Sequence, residues 1–212
     1  MVKNILILIT GFLLLTGCQS TRVSTVSDSP TRPTLYEDVQ SPGKVQGTGI
    51  ESQDIVSMTD KMVRDILSTP EVLNSRVAPR IIVDSQYFHN ESSSRINKKM
   101  ITRRLKTALR RSSKGRLVFI SRTSSAMIEK ERALKRTGKI SEGSLGSVKS
   151  APYGGDYRLE GIITSQDKIS QSGLKSRYHL IDFALIDLET GVEVWSNFYE
   201  FQKTSAENII YR

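Results

Sequence analysis

The chain has 212 residues, a net charge of +9 and a single cysteine, Cys18. One cysteine excludes an internal disulfide framework and a cysteine-type metal centre, so the fold has to rest on its apolar core. With His89 and His179 as the only histidines, a zinc site or a Ser/His/Asp triad has thin support, and the basic surplus calls for an acidic or anionic partner.

Lys3, the apolar run from Ile5 to Leu15 and then Thr16-Gly17-Cys18 have the layout of a cleaved secretory signal, and the run is too short to cross a bilayer comfortably. Residues 1–17 read as a bacterial lipoprotein signal peptide cut before Cys18, which then carries acyl chains of the palmitate type. Several chains make a stable anchor where one binds only reversibly. Gln19 rather than Asp follows the cysteine, which points to the outer membrane on its periplasmic side. Nucleic acid is scarce there and is not expected as a partner, so acidic protein surfaces, anionic lipid and anionic envelope polymers are the candidates for the positive charge.

From Cys18 to residue 48 the chain is rich in Ser, Thr, Pro, Gly and Gln and has little apolar clustering, so it reads as a disordered tether ahead of one globular domain at 49–212. Ser52 is the expected N-cap of a helix over 52–68, in which Ile55, Met58, Met62 and Ile66 form one apolar stripe that ends before Pro70. Ile81-Ile82-Val83 marks a buried strand over 80–88. A second helix follows over 97–112, with Ile101, Leu105 and Leu109 at helical spacing and Gly115 as its stop. Leu117 to Ile120 is a second strand, and a charged helix runs from Ser124 or Ser125 to near Gly138. Residues 139–152 are small and polar, the composition of a surface loop.

The remainder turns to β-branched and aromatic residues over 157–166, 178–188 and 192–202, broken at Gln171-Ser172-Gly173 and Glu189-Thr190-Gly191. These are three strands of an antiparallel meander. In the middle strand Ile181, Phe183 and Leu185 alternate with Leu180, Ala184 and Ile186, so both faces of the sheet are expected to be covered by helices. The fold class is α/β: one small domain with a mixed sheet.

Catalytic signals are poor. Ser172-Gly173-Leu174-Lys175 matches Ser-x-x-Lys but falls in a hairpin turn, where the lysine does not sit one helical turn after the serine. Asp182 and Asp187 are explained by strand-end solvation and turn formation. With no Gly-rich phosphate loop or dinucleotide fingerprint, no cofactor is expected, nor is a metal. The basic run is the stronger signal. Lys98, Lys99, Arg103, Arg104, Lys106, Arg110, Arg111, Lys114 and Arg116 follow one another without an intervening acid, where a solvated helix face normally mixes signs to gain i,i+4 pairs. Arginine suits bidentate contacts to carboxylate or phosphate.

Three segments carry a resemblance: Gly47-Thr48-Gly49-Ile50-Glu51-Ser52-Gln53-Asp54 leading into the Met-bearing helix, Pro79-Arg80-Ile81-Ile82-Val83, and Leu185-Ile186-Asp187-Leu188-Glu189-Thr190-Gly191-Val192-Glu193-Val194-Trp195. Their order behind a lipoprotein signal and tether resembles the LpoB family of outer-membrane lipoproteins that activate class A penicillin-binding proteins. The hairpin alone is also similar to the TolB amino-terminal domain and to curli-secretion lipoproteins. The resemblance implies a TolB-like α/β domain, not an enzyme, that docks on a bifunctional peptidoglycan synthase, stimulates its glycosyltransferase and indirectly its transpeptidase, and so acts in peptidoglycan biosynthesis and cell shape. Charge and exposure, not a transferred motif, nominate Arg80, Arg103, Arg104, Arg110, Arg111, Lys114, Arg116 and the 139–152 loop as contacts. The competing expectations are a curli-type secretion or envelope-assembly lipoprotein and an anionic-polymer binding module.

Overall fold

The computed structural model describes residues 36–43, 46–143 and 151–206. The expected signal at 1–17, Cys18 with its lipidation, most of the tether, residues 144–150 of the expected loop and the end of the chain from 207 lie outside the described residues.

Helix α1 (Ser52–Ser68) forms where the apolar side chains recur with helical period: Ile55, Met58, Met62 and Ile66 share one face and are all buried. Its cap is Glu51, one residue before the expected Ser52. The Glu51 N–H donates to Asp54 Oδ2 at 2.8 Å, so a first-turn carboxylate satisfies a backbone group that would otherwise be orphaned. Thr69 leaves the helix in extended conformation, as a residue before proline should. Pro70 then opens a single-turn helix that the sequence did not lead us to expect, α2 (Pro70–Leu73), occupying the first helical position where its missing N–H costs nothing.

Strand β1 (Arg80–Asn90) precedes helix α3 (Lys98–Ser113), strand β2 (Val118–Ile120) and helix α4 (Ser125–Arg136). Strands β3 (Tyr157–Ile169), β4 (Lys175–Asp187) and β5 (Glu193–Ser205) close the fold. The sheet order is β2-β1-β3-β4-β5, with β1 parallel to both β2 and β3 and the last three strands antiparallel, which is the expected mixed sheet ending in a meander. β1 runs two residues past the expected end because His89 and Asn90 pair with Ile162 and Ile163 of β3. A register irregularity between Val83 and Phe88 absorbs the mismatch between the two strands.

The core lies between one face of the sheet and the pair α1 and α3. Ile81, Val83, Leu159, Ile163, Ile181 and Leu185 from the strands meet Met58, Met62, Ile66, Ile101, Leu105 and Leu109 from the helices. Each fully buried side chain of this size contributes about 1.5–3 kcal/mol relative to leaving it in water. Phe88 stacks on Phe183 with ring centroids 5.5 Å apart, and Gly161 opposite Phe183 leaves room for the Phe88 ring: a Cβ there would fall 2.0 Å from Phe88 Cε2.

The two faces of the sheet are covered to different extents. α1 and α3 both pack on the core side, while α4 buries no residue and makes no extended contact with any strand. Ile82, which points away from the core, is covered by the backbone at Gly155 instead of by a helix. In α4 Met127 and Ile128 stay 67 % and 37 % exposed. The outward residues of β3, β4 and β5 stay open.

Candidate functional site

The basic run is carried by α3. Asn97 caps the helix, its side chain accepting from the Met100 N–H at 3.2 Å, and Ile101, Leu105 and Leu109 commit one face to the core. Helical geometry then forces Arg103, Arg104, Arg110 and Arg111 outward, and all four are exposed. Arg110 and Arg111 stand in the last turn, where the carbonyl end of the helix favours cations. Lys114 takes the left-handed conformation that ends the helix (φ 49°) and Gly115 follows at φ 88°. Arg116 is exposed just before β2.

Among the described residues none of these cations forms an ion pair; the pairs present are Lys135–Glu131, Arg177–Asp167 and Lys203 with Glu51 and Asp54. Arg80 opens β1 opposite Val118, which brings it beside the stretch holding Lys114 and Arg116. Its backbone N–H donates to Asp156 Oδ2 at 2.7 Å, and its guanidinium stacks on Tyr153, 4.3 Å from the ring centroid. Arg80 shares its strand face with Ile82, which points away from the core, so its side chain lies on the other side of the sheet from α3, whose last turn holds Arg110 and Arg111 with Arg103 and Arg104 about two turns further along.

The structure does not bring together the Ser-x-x-Lys match or the Asp182 and Asp187 pair. Ser172 lies in the turn between β3 and β4 with its hydroxyl 2.8 Å from that of Ser170, and Lys175 begins a strand, so the two do not share a helical turn. Asp187 Oδ1 accepts from the N–H groups of Thr190 and Glu189 at 2.8 and 2.9 Å, and those bonds hold its carboxyl below the usual carboxylate range. Asp182 lies five residues away along the same strand and so faces the other side of the sheet. No cluster of His, Cys, Asp and Glu with metal-binding geometry occurs among the described residues, and no helix among them is long and apolar enough to cross a membrane.

Two arrangements escaped the sequence reading. The first is a groove of about 560 Å³ on the open face of the sheet, with Tyr87 and His89 at one wall, Ala184 on the floor and Phe198 at the other wall. Glu160, Asp182 and Glu193 also line it, and no Lys or Arg does. Burial pushes the Asp182 carboxyl up from its usual range. The signal in the sequence was the acid set between apolar outward residues of β4, Leu180-x-Asp182-x-Ala184-x-Ile186, which suits a wet groove better than a helix contact.

The second is a clamp on the segment that enters α1. His179, fully buried in β4 and stacked on Phe201 at 4.8 Å, lies with Nε2 2.7 Å from the Thr48 carbonyl oxygen; that oxygen only accepts, so Nε2 carries the proton. Its Nδ1 has no hydrogen-bond partner among the described residues, and burial holds the imidazole below its ordinary value. Lys203 of β5 donates to Gly49 O at 3.1 Å and to Asp54 Oδ2 at 2.5 Å, and lies 3.5 Å from Glu51 Oε2.

Comparison with known families matches residues 54–201 to the family described as Peptidoglycan-synthase activator LpoB. Comparison with curated protein sequences finds no match. Among solved structures, the LpoB C-terminal domain of Salmonella enterica is similar at 15 % identity and a TM-score of 0.42, covering 71 % of this chain and 99 % of that one. The LpoB C-terminal domain of Escherichia coli is similar at 16 % identity and a TM-score of 0.42, covering 70 % and 98 %. Lipoprotein GNA1162 of Neisseria meningitidis is similar at 19 % identity and a TM-score of 0.32, covering 62 % and 87 %.

Proposed function

The chain belongs to the LpoB family of peptidoglycan-synthase activators, and from that membership we propose that it is a lipid-anchored periplasmic regulator that binds a class A penicillin-binding protein and stimulates its glycosyltransferase and, indirectly, its transpeptidase. The observation that carries the reading is the extent of the family match, which begins in the first turn of α1 and ends within β5. Cys18 is the lipidated residue in this reading, residues 18–48 are the tether, and the outer membrane is the anchoring surface.

An activator of this kind needs no reacting group of its own. It works by binding the competent conformation of the synthase more tightly than the idle one, and a differential affinity of 1–3 kcal/mol corresponds to about a 5–150-fold shift. The cations of α3, which form no ion pair among the described residues, are the main proposed contact and suit an acidic protein surface, with Arg80 a separate candidate at the start of β1.

The test is glycan polymerisation from lipid-linked precursor by the cognate class A penicillin-binding protein in detergent, with and without the full-length lipoprotein. Stimulation that saturates with lipoprotein supports the activator reading. Unchanged polymerisation by an active synthase, with the lipoprotein shown to be folded, refutes it.

A further inference from the structure

We infer that the open face of the sheet is a docking groove for a cationic, apolar segment of the partner synthase, an inference that rests on the proposed function and adds a second, chemically opposite contact to it. The groove is built by the meander, not left over at its margin. Pairing aligns Glu160 with Ala184 and Ala184 with Ser196, so three neighbouring strands set small or acidic side chains side by side. One step along, Ile162, Asp182 and Phe198 align in the same way, and Ile162 and Phe198 remain 40 % and 46 % exposed.

An apolar floor of this kind on a sheet is ordinarily buried against another element, yet among the described residues no helix makes an extended contact there. Charge selects the occupant. Glu160, Asp182 and Glu193 form no ion pair among the described residues, in a chain whose net charge is +9. Arg158 stacks on the wall residue Tyr87, 3.9 Å from its ring centroid, and Lys61 lies 5.7 Å from the Phe198 ring, so these two cations border the walls while the lining between them stays acidic and apolar. A segment with Lys or Arg between apolar side chains satisfies both the floor and the rim. The groove and α3 lie on opposite faces of the sheet, so a partner seated on the basic helix reaches the groove with a segment that passes around a sheet edge, not with the same surface.

The experiment measures binding of the detergent-solubilised synthase to full-length lipoprotein carrying Ala184→Arg, and separately Phe198→Glu, whose half-exposed position makes it the safer variant for folding. Thermal unfolding is followed in parallel. The expected result is a Kd raised at least tenfold by either folded variant, together with loss of stimulation. In addition, a photoreactive residue in place of Ile162 is crosslinked to the synthase and the captured peptide is sequenced; a Lys- or Arg-bearing apolar peptide is expected. Folded variants that bind as tightly as the parent overturn the groove while leaving the activator reading standing. An acidic captured peptide, or capture of a second copy of this chain, overturns it as well. If the parent itself neither binds nor stimulates the synthase, the proposed function fails and the groove's assignment fails with it.

Discussion

Gly161→Ala is the sharpest probe of how the sheet is packed. The glycine does not have positive φ, so alanine brings no backbone strain, and the cost is steric alone. The new Cβ falls 2.0 Å from Phe88 Cε2, 2.2 Å from Phe88 Cδ2 and 3.0 Å from Asp182 O. Phe88 is buried and stacked on Phe183, so its ring has no solvent to swing into. Overpacking of a filled core costs about 1–3 kcal/mol, and contacts this short place the variant near 3. For a domain of this size that lowers Tm by about 6–12 °C. The assay is thermal unfolding of the full-length lipoprotein in detergent followed by circular dichroism. Phe88→Leu removes the ring that the new methyl strikes, so the double variant should melt above Gly161→Ala, with a coupling of at least about 1 kcal/mol. A Gly161→Ala protein that melts within a degree or so of the parent, or a double variant that is not rescued, refutes the account.

Reversal of Arg103, Arg104, Arg110 and Arg111 to Glu should leave folding intact, because all four are exposed and outside the ion pairs formed among the described residues, while weakening stimulation of the synthase; unchanged binding removes that surface from consideration. Burial depresses the His179 pKa, so below about pH 6.5 the unfolded chain takes up a proton that the folded chain refuses, and stability falls as pH drops from there. His179→Gln should therefore flatten Tm between pH 6.5 and 5, a window in which Asp167 and Asp187, both with lowered pKa, remain ionised in either state. Lys203→Met leaves Asp54 without its cation in a largely buried setting and should cost about 2–3 kcal/mol in urea denaturation, with hydrogen exchange at residues 47–54 speeding up most.

Local pattern carried the reading furthest where one face of an element decides it. The 3–4 spacing of Ile55, Met58, Met62 and Ile66 placed α1 between the right residues, and the turns at Gly173 and Gly191, both at positive φ, divided the meander. On the outward face of β4 Leu180, Ala184 and Ile186 stay half-buried, because apolar alternation marks a face without choosing the element that covers it. The basic run was visible because its signal is contiguous. The groove was not, because Tyr87, Glu160, Asp182 and Phe198 come from four strands and meet only through register.

Register also joins the clamp to the groove. β4 sends His179 to the core side, where it holds Thr48, and Asp182 and Ala184 to the open side. β5 does the same with Lys203 and Phe198. The segment entering α1 is thus tied to the two strands that form the groove floor and one wall, so a pull on that segment is delivered directly to them through hydrogen bonds and a largely buried ion pair, not through the hydrophobic contacts of α1. Side chains alternate across a strand, so a β4 shift that loosens His179 from Thr48 also moves Asp182 and Ala184. The entry segment and the groove therefore share the same two strands.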